Sequence, residues 1–289
     1  MAEFSGRGRL LARQALSEIL YRLGIRQANP HSLSVLMYHA VTKQALRDPA
    51  QQSIPVDLFD AQMGALREMG FSIVPLEEGM QRLRRKENGG PWCSVAFDDG
   101  YAGVYENGFE VLRRHRIPST LFLSTNFIGR EQFPWSGAAL GRPLRWNEIN
   151  ALIQEAGCSI GSHSHSHPVL TRLNAEAIRQ EIVLSRERIL AETGVRPRLF
   201  AYPYGFFGSF NKTTGRILSE EGFSIACTAV WGRQTPQGDW MSVKRIRVSW
   251  CDSIHEVRKS LAGCGDWYRW LQNWQARYNQ GFRSLQATA

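Results

Sequence analysis

Two adjacent carboxylates follow the apolar run 92–97 in the segment Asp98-Asp99-Gly100. Neighbouring carboxylates repel each other, so a cation or a proton on one of them stabilises such a pair. Taken alone, this segment is equally compatible with a solvated Asp-Gly turn. It therefore becomes informative only together with other residues that could bind a metal.

Three of the seven histidines of the chain lie within 163–167. If this segment turns as one helical coil, His163 and His167 face the same way and can share a metal, while His165 points elsewhere. The alternative is a histidine-rich surface loop. Two imidazoles and one carboxylate make a three-ligand site with positions left for water and substrate, which is typical of catalytic metals. The second carboxylate could then act as general base.

The elements that must position these residues alternate between strand-like and helix-like patterns, which predicts an α/β fold with a largely parallel sheet. Apolar runs predict strands at 33–38, 72–75, 92–97, 119–123, 159–162, 199–202, 224–228 and 243–248. Helical spacing predicts helices at 56–69, 76–86, 104–115, 147–156, 174–192, 213–221 and 253–261.

The chemically unusual residues follow the carboxyl ends of these strands. His39 ends the first strand, Asp98 and Asp99 follow 92–97, and His163 follows 159–162. Since the carboxyl ends of parallel strands form one rim, where active sites of such folds lie, we expect these side chains to converge.

The two segments resemble motifs of the polysaccharide deacetylase family, carbohydrate esterase family 4. The first motif of the family, [TS]-F-D-D-G, is matched by Ala96-Phe97-Asp98-Asp99-Gly100 except at its first position. The second, H-[ST]-x-x-H-P, is matched throughout by His163-Ser164-His165-Ser166-His167-Pro168. The resemblance covers about residues 33 to 250, and the two motifs in this order are highly specific.

The resemblance implies a distorted (β/α) barrel of about seven strands and a divalent metal, usually zinc. It assigns Asp98 as the general base and Asp99, His163 and His167 as the metal ligands. The expected reaction is removal of N-acetyl groups from amino sugars of a polysaccharide, oligosaccharide or glycolipid. Two alternatives are a deacetylase or amidase acting on a linear or cyclic amide that is not a sugar, and a non-catalytic glycan-binding protein.

The third motif of the family, R-x-P-Y, appears here as Ala201-Tyr202-Pro203-Tyr204, without its arginine. A branch of the family linked to exopolysaccharides has the same form, and a later arginine substitutes there. The resemblance implies that Arg245 takes this place, with a surface ion pair as its alternative role. We further expect the backbone N–H of Tyr204 to stabilise the oxyanion of the reaction.

The general acid is less clearly marked, because the L-x-H motif that supplies it in many family members has no clear copy. Ile254-His255 is the nearest match, at the start of a predicted surface helix. His39 resembles the early strand-end histidine of the exopolysaccharide branch, which is thought to protonate the leaving amine. We therefore assign His39 as the acid, with His255 as the alternative.

The organisation we predict is an N-terminal basic amphipathic helix over 1–30, a catalytic domain over 31–262 and an aromatic-rich helical tail over 263–289. The net charge of +9 favours an anionic partner, but no nucleic-acid-binding motif is present, so none is expected. No export signal or membrane-spanning run is evident, which predicts a cytoplasmic protein. The first helix could either pack on the catalytic domain or lie on the inner membrane surface.

Overall fold

Ten β-strands alternate with eight α-helices in the part of the chain that the computed structural model describes, residues 2–24 and 31–273. The strands are β1 (Leu33–Tyr38), β2 (Ala40–Thr42), β3 (Ser53–Pro55), β4 (Ser72–Ile73), β5 (Trp92–Phe97), β6 (Ser119–Leu123), β7 (Ser159–Ser162), β8 (Leu199–Ala201), β9 (Ile225–Trp231) and β10 (Val243–Arg247). The helices are α1 (Ala2–Arg22), α2 (Val56–Glu68), α3 (Leu76–Arg84), α4 (Phe109–His115), α5 (Trp146–Ala156), α6 (Ala175–Thr193), α7 (Lys212–Glu220) and α8 (Ile254–Leu261).

Seven of these strands close into a parallel barrel. Their order is β1, β10, β9, β8, β7, β6 and β5, and β5 pairs again with β1 along six residue pairs. The short strand β4 pairs with the first two residues of β5, while β2 and β3 form a separate parallel pair. The predicted distorted (β/α) barrel is therefore confirmed.

The sequences of the barrel strands explain their position. All six residues of β1 and all six of β5 are buried, because each strand is covered by the barrel interior on one side and by helices on the other. The surrounding helices are amphipathic: α2, for example, buries Phe59, Met63 and Leu66. The helix α6 begins where expected, since the side chain of Asn174 accepts a hydrogen bond from the backbone N–H of Ala177 at 2.9 Å.

Two local features differ from the sequence expectations. The segment between β1 and α2, which we expected to be a loop, contains the strands β2 and β3. The expected helix 104–115 begins with a π-helical turn, Val104–Gly108, before α4. Neither a three-residue strand nor a π-turn has a periodicity long enough to be recognised in a sequence.

The N-terminal helix α1 packs on the barrel through polar contacts. A buried ion pair joins Arg13 to Asp252 at 2.7 Å, and the hydroxyl of Ser17 donates to the backbone oxygen of Cys264. Three apolar side chains of the same helix, and that of Leu23 directly after it, are instead 39–67% exposed: Leu11, Leu16, Ile19 and Leu23. The helix thus lies against the barrel with its polar side and presents apolar side chains to solvent.

No helix among residues 2–24 and 31–273 is long and apolar enough to cross a membrane. All five cysteines are free, and four of them are buried. Of the predicted terminal segments, 25–30 and 274–289 lie outside the described residues.

Candidate metal centre and catalytic site

The barrel brings the sequence-predicted site residues to one rim. His39 follows β1, the two aspartates follow β5, His163 follows β7 and Tyr204 follows β8. Arg245 lies within β10, which is hydrogen-bonded to β1. These segments are separated by up to about two hundred residues in sequence and meet only because the closed parallel sheet aligns their carboxyl ends.

The side chains of Asp99, His163 and His167 converge in a buried cluster. The Oδ1 atom of Asp99 lies 3.4 Å from the Nε2 atom of His163 and 3.4 Å from that of His167. Ligand atoms about 2.0–2.1 Å from a tetrahedral metal are separated by about 3.3 Å, so this spacing fits a shared ion. The same Oδ1 atom is buried without a hydrogen-bond partner among the described residues, which also fits a bound cation.

The histidines of this cluster are in the state that metal binding requires. Burial lowers the pKa of His163, and it lowers the pKa of His167 to about 2, so both rings are neutral at neutral pH. The backbone oxygen of Ala201 lies 2.7 Å from Nδ1 of His163, which leaves Nε2 as the free ligand atom. His165 is turned away, with its Nδ1 2.9 Å from the hydroxyl of Thr125.

The segment that carries the histidines is not a helical coil, so the expected reason for their convergence is wrong. Ser164 and His167 have φ angles of 65° and 59°, in the left-handed region. Serine hydroxyls stabilise this turn: Ser162 accepts from the backbone N–H of Ser164, and Ser164 accepts from that of His167. The backbone thus uses two unfavourable residue conformations to aim both rings at Asp99.

Asp98 forms a bidentate ion pair with Arg245. Two nitrogens of the guanidinium lie 2.7 Å from the two carboxylate oxygens, and Nε of Arg245 donates to the backbone oxygen of Thr228. Arg245 is 1% exposed, so the alternative of a surface ion pair is wrong. The structure therefore places this arginine where the missing arginine of the third motif would be needed.

The two aspartates have opposite pKa shifts. Burial alone would raise the pKa of Asp98, but the Arg245 charge overcomes it and holds the pKa below its ordinary value. Burial and the negative charge of Asp98 raise the pKa of Asp99 well above its ordinary value. Asp98 is therefore ionised and able to accept a proton, whereas Asp99 needs a cation to stay ionised.

His39 lies beside this pair and is 8% exposed. Burial lowers its pKa to about 3, while the charge of Asp98 acts in the opposite direction. The ring is thus neutral at neutral pH and must gain a proton before it can donate one. His255 is elsewhere: its Nε2 lies 2.8 Å from Glu18 of α1 and its ring packs against Tyr21.

Aromatic rings form the wall of the site; sequence reasoning missed Trp135 and named Tyr204 only for its backbone N–H. The ring of Trp135 stacks on His167 with centroids 4.5 Å apart, and the ring of Tyr204 lies 4.8 Å from His167 on another side. The only sequence signal for Trp135 was its position in the long aromatic-rich loop 126–143. Tyr204 has a φ of 64°, and its backbone N–H donates to no group among residues 2–24 and 31–273, so it is free for a ligand.

Comparisons with known proteins agree with this geometry. The family model described as polysaccharide deacetylase matches residues 85–226. The Bacillus subtilis protein YxkH is 24% identical over 78% of this chain and 74% of its own length. The poly-β-1,6-N-acetyl-D-glucosamine N-deacetylase of Staphylococcus epidermidis is 26% identical over 54% of each chain, so the match spans about half of that relative.

Among solved structures, IcaB from Ammonifex degensii superimposes with a TM-score of 0.68 and 27% identity, over 80% of this chain and 97% of that one. The chain belongs to the polysaccharide deacetylase family, and these similarities support its exopolysaccharide-associated branch.

The Asp98–Arg245 pair generates a prediction about pH dependence. Replacing Arg245→Lys keeps a positive charge but removes the bidentate contact, so the pKa of Asp98 should rise. Since the base must be ionised, the acid limb of the kcat/KM profile should move upward by about one pH unit. Lys244→Gln is the control. Lys244 is the half-buried neighbour of Arg245 on β10, and its side chain lies beside Gly232 and not beside Asp98. An unchanged acid limb in Arg245→Lys would contradict the assignment of Asp98 as the base.

Proposed function

We propose that the protein is a metal-dependent hydrolase that removes N-acetyl groups from amino sugars of a glycan. The observation that carries this proposal is the buried cluster of Asp99, His163 and His167 next to an ionised carboxylate, Asp98, on the rim of the barrel. A three-ligand site with a neighbouring base is the arrangement that metal-assisted amide hydrolysis requires.

Each residue of the site has a proposed part in the reaction. Asp99, His163 and His167 would hold a divalent ion, with zinc as the expected metal, and this ion would supply a Lewis acid to acidify water and polarise the acetyl carbonyl. Asp98 accepts the proton of the attacking water, and Arg245 keeps Asp98 ionised and oriented. The backbone N–H of Tyr204 donates to the developing oxyanion.

The leaving amine needs a proton, because an amide anion is a very poor leaving group. His39 is neutral when the reaction starts, so it must first receive a proton before it can act as the general acid. Asp98, whose charge raises the pKa of His39, is the neighbouring group that holds a proton once the water has been deprotonated. We propose that this proton passes through His39 to the nitrogen, and the products are acetate and a free amino sugar.

An N-acetylglucosamine-type glycan is the proposed substrate class. The Staphylococcus epidermidis relative is a deacetylase of poly-β-1,6-N-acetyl-D-glucosamine, and the family model has the description polysaccharide deacetylase. Exposed aromatic side chains at the rim, Tyr204 and Phe206, provide faces on which a sugar ring could pack.

The function is tested by metal content and acetate release measured on the same samples. His163→Ala and His167→Ala should each lose bound metal and deacetylation of a N-acetylglucosamine oligomer together, because each removes one of three ligands. His165→Ala is the matched control in the same turn and should keep both. Metal that stays bound in His163→Ala, or is lost in His165→Ala, would show that the ligand set is wrong.

The role of His39 is tested with two substrates of different leaving groups. His39→Ala should lower turnover of an amide by roughly 10²-fold, the usual contribution of general acid catalysis. An aryl acetate ester has a good leaving group and should be affected much less. The measurement is kcat on both substrates with the metal-loaded variant. Equal losses on amide and ester would make His39 a structural residue.

We also propose that α1 contacts an anionic membrane surface. Its exposed apolar residues form one broad face, and besides the buried Arg13 the sequence of the helix carries three further arginines, Arg7, Arg9 and Arg22. Polar residues such as Arg13 and Ser17 pack α1 against the barrel, so the apolar face is not needed for this contact. An apolar face flanked by basic residues is typical of helices that lie in the membrane interface.

Membrane contact is measured by co-sedimentation of the full chain with vesicles of phosphatidylcholine and phosphatidylglycerol. The double variant Leu16→Gln/Ile19→Gln should bind about tenfold more weakly or worse, since each leucine-sized side chain contributes about 1.5–3 kcal/mol when buried. Leu184→Gln is the control, because Leu184 is a similarly exposed leucine on α6. Identical sedimentation of the double variant and the wild type would refute the contact.

A further inference from the structure

A pocket opens beside the catalytic site and is walled by aromatic rings and arginines. Its lining includes Arg13, Tyr204, Phe206, Trp231, Arg247 and Tyr268, together with two glutamines and an alanine. The pocket adjoins the metal cluster, since the ring of Tyr204 also lies against the metal-site residue His167. A glycan with one N-acetyl group in the catalytic site would therefore place its next unit here.

The pocket carries one positive charge, that of Arg247, that no carboxylate of the described residues compensates. No acidic side chain lines it among the described residues. Arg13 has its own partner, Asp252, and its guanidinium lies 4.4 Å from the ring centroid of Trp231. No ion pair joins Arg247 to a carboxylate within residues 2–24 and 31–273, so its charge is available to a ligand.

Arg247 lies close to the reacting groups. It follows Arg245 by two positions on β10, and alternate residues of a strand point to the same side. Burial is the largest influence on the pKa of His39 and of Asp99, and the positive charge of Arg247 lowers both pKa values. Arg247 is therefore close to both side chains. A half-buried arginine stays charged at neutral pH even where burial lowers its pKa.

The charge of Arg247 lowers neighbouring pKa values, but none of the proposed steps of the hydrolysis is assigned to Arg247 itself. A buried or half-buried cation without a partner is unfavourable, unless a ligand supplies the opposite charge. The planar guanidinium suits phosphate or carboxylate, and the rings around it suit the apolar face of a sugar. A neighbouring unit that had already lost its acetyl group would carry an ammonium and be repelled.

We propose that Arg247 binds an anionic group, a phosphate or a carboxylate, on the sugar unit next to the one that loses its acetyl group. This inference rests on the proposed function and narrows its substrate to an acidic or phosphorylated glycan. The phosphate could belong to the reducing end of a lipid-linked sugar, and the carboxylate to a uronic acid within a polymer.

Three trisaccharides of N-acetylglucosamine type test the proposal and separate the two sources of charge. One is neutral, one carries a reducing-end phosphate and one has glucuronate as its neighbouring unit. The wild type should show a kcat/KM about tenfold or more higher for at least one anionic trisaccharide than for the neutral one. The trisaccharide that is preferred identifies the source of the anion.

Arg247→Gln should abolish this preference: the ratio of kcat/KM for the anionic trisaccharide to kcat/KM for the neutral one should fall to about one, whatever the change on the neutral trisaccharide, since a charged hydrogen bond stabilises only the anionic substrate. Arg247→Lys should keep part of the preference, because it keeps the charge. Lys244→Gln removes one positive charge from the same strand, outside the pocket, and should keep all of it.

An equal loss on all three trisaccharides in Arg247→Gln, or no preference in the wild type, would overturn the subsite while the proposed function stands. If no trisaccharide releases acetate, the proposed function fails instead. Calorimetric binding of the same trisaccharides to the wild type and Arg247→Gln then decides the subsite by itself.

Discussion

The buried pairing of Asp98 with Arg245 is the interaction on which the chemistry of this protein depends. Two carboxylates adjacent in sequence cannot both stay ionised in a buried site without cations. The guanidinium supplies the charge for Asp98, and burial together with the charge of Asp98 leaves Asp99 in a place where a cation or a proton is needed to stabilise it. One arginine thereby separates two chemically identical side chains into the proposed base and the proposed metal ligand. Removing one partner of such a buried pair also costs stability, about 3–5 kcal/mol.

The second constraint is the backbone. Asp99, Ser164, His167 and Tyr204 all adopt positive φ angles, which are unfavourable for residues other than glycine. They follow barrel strands whose positions are set by the closed hydrogen-bonded sheet and by buried apolar side chains. The rigid barrel thus stabilises local conformations that these short segments would not adopt alone, and it holds the ligand atoms at a spacing suited to a metal.

Charged and apolar surfaces outside the metal cluster bear on which substrate reaches the site and where. The mouth of the barrel combines aromatic rings with Arg247, which pairs with no carboxylate in the described part of the chain, and α1 presents leucines to solvent while Arg13 ties it to Asp252. An enzyme that takes an anionic glycan at or near a membrane surface would use both features. A neutral polymer in bulk solution would require neither of them.

The sequence by itself determined the alternation of parallel strands with helices and the residue types of the site, and its resemblance to a known family implied the barrel. Continuous apolar runs such as 92–97 predict buried strands, and helical spacing of apolar residues, as in α2, predicts amphipathic helices. The spacing of Asp98-Asp99 and of His163 and His167 indicated a metal. Tertiary structure decided how those residues meet. The left-handed turn at Ser164 and His167, the stacking of Trp135 and the charge balance around Arg247 depend on contacts between distant segments. Such contacts leave no periodic signal in a single sequence, because the local sequence around each residue does not show which distant segment it will meet.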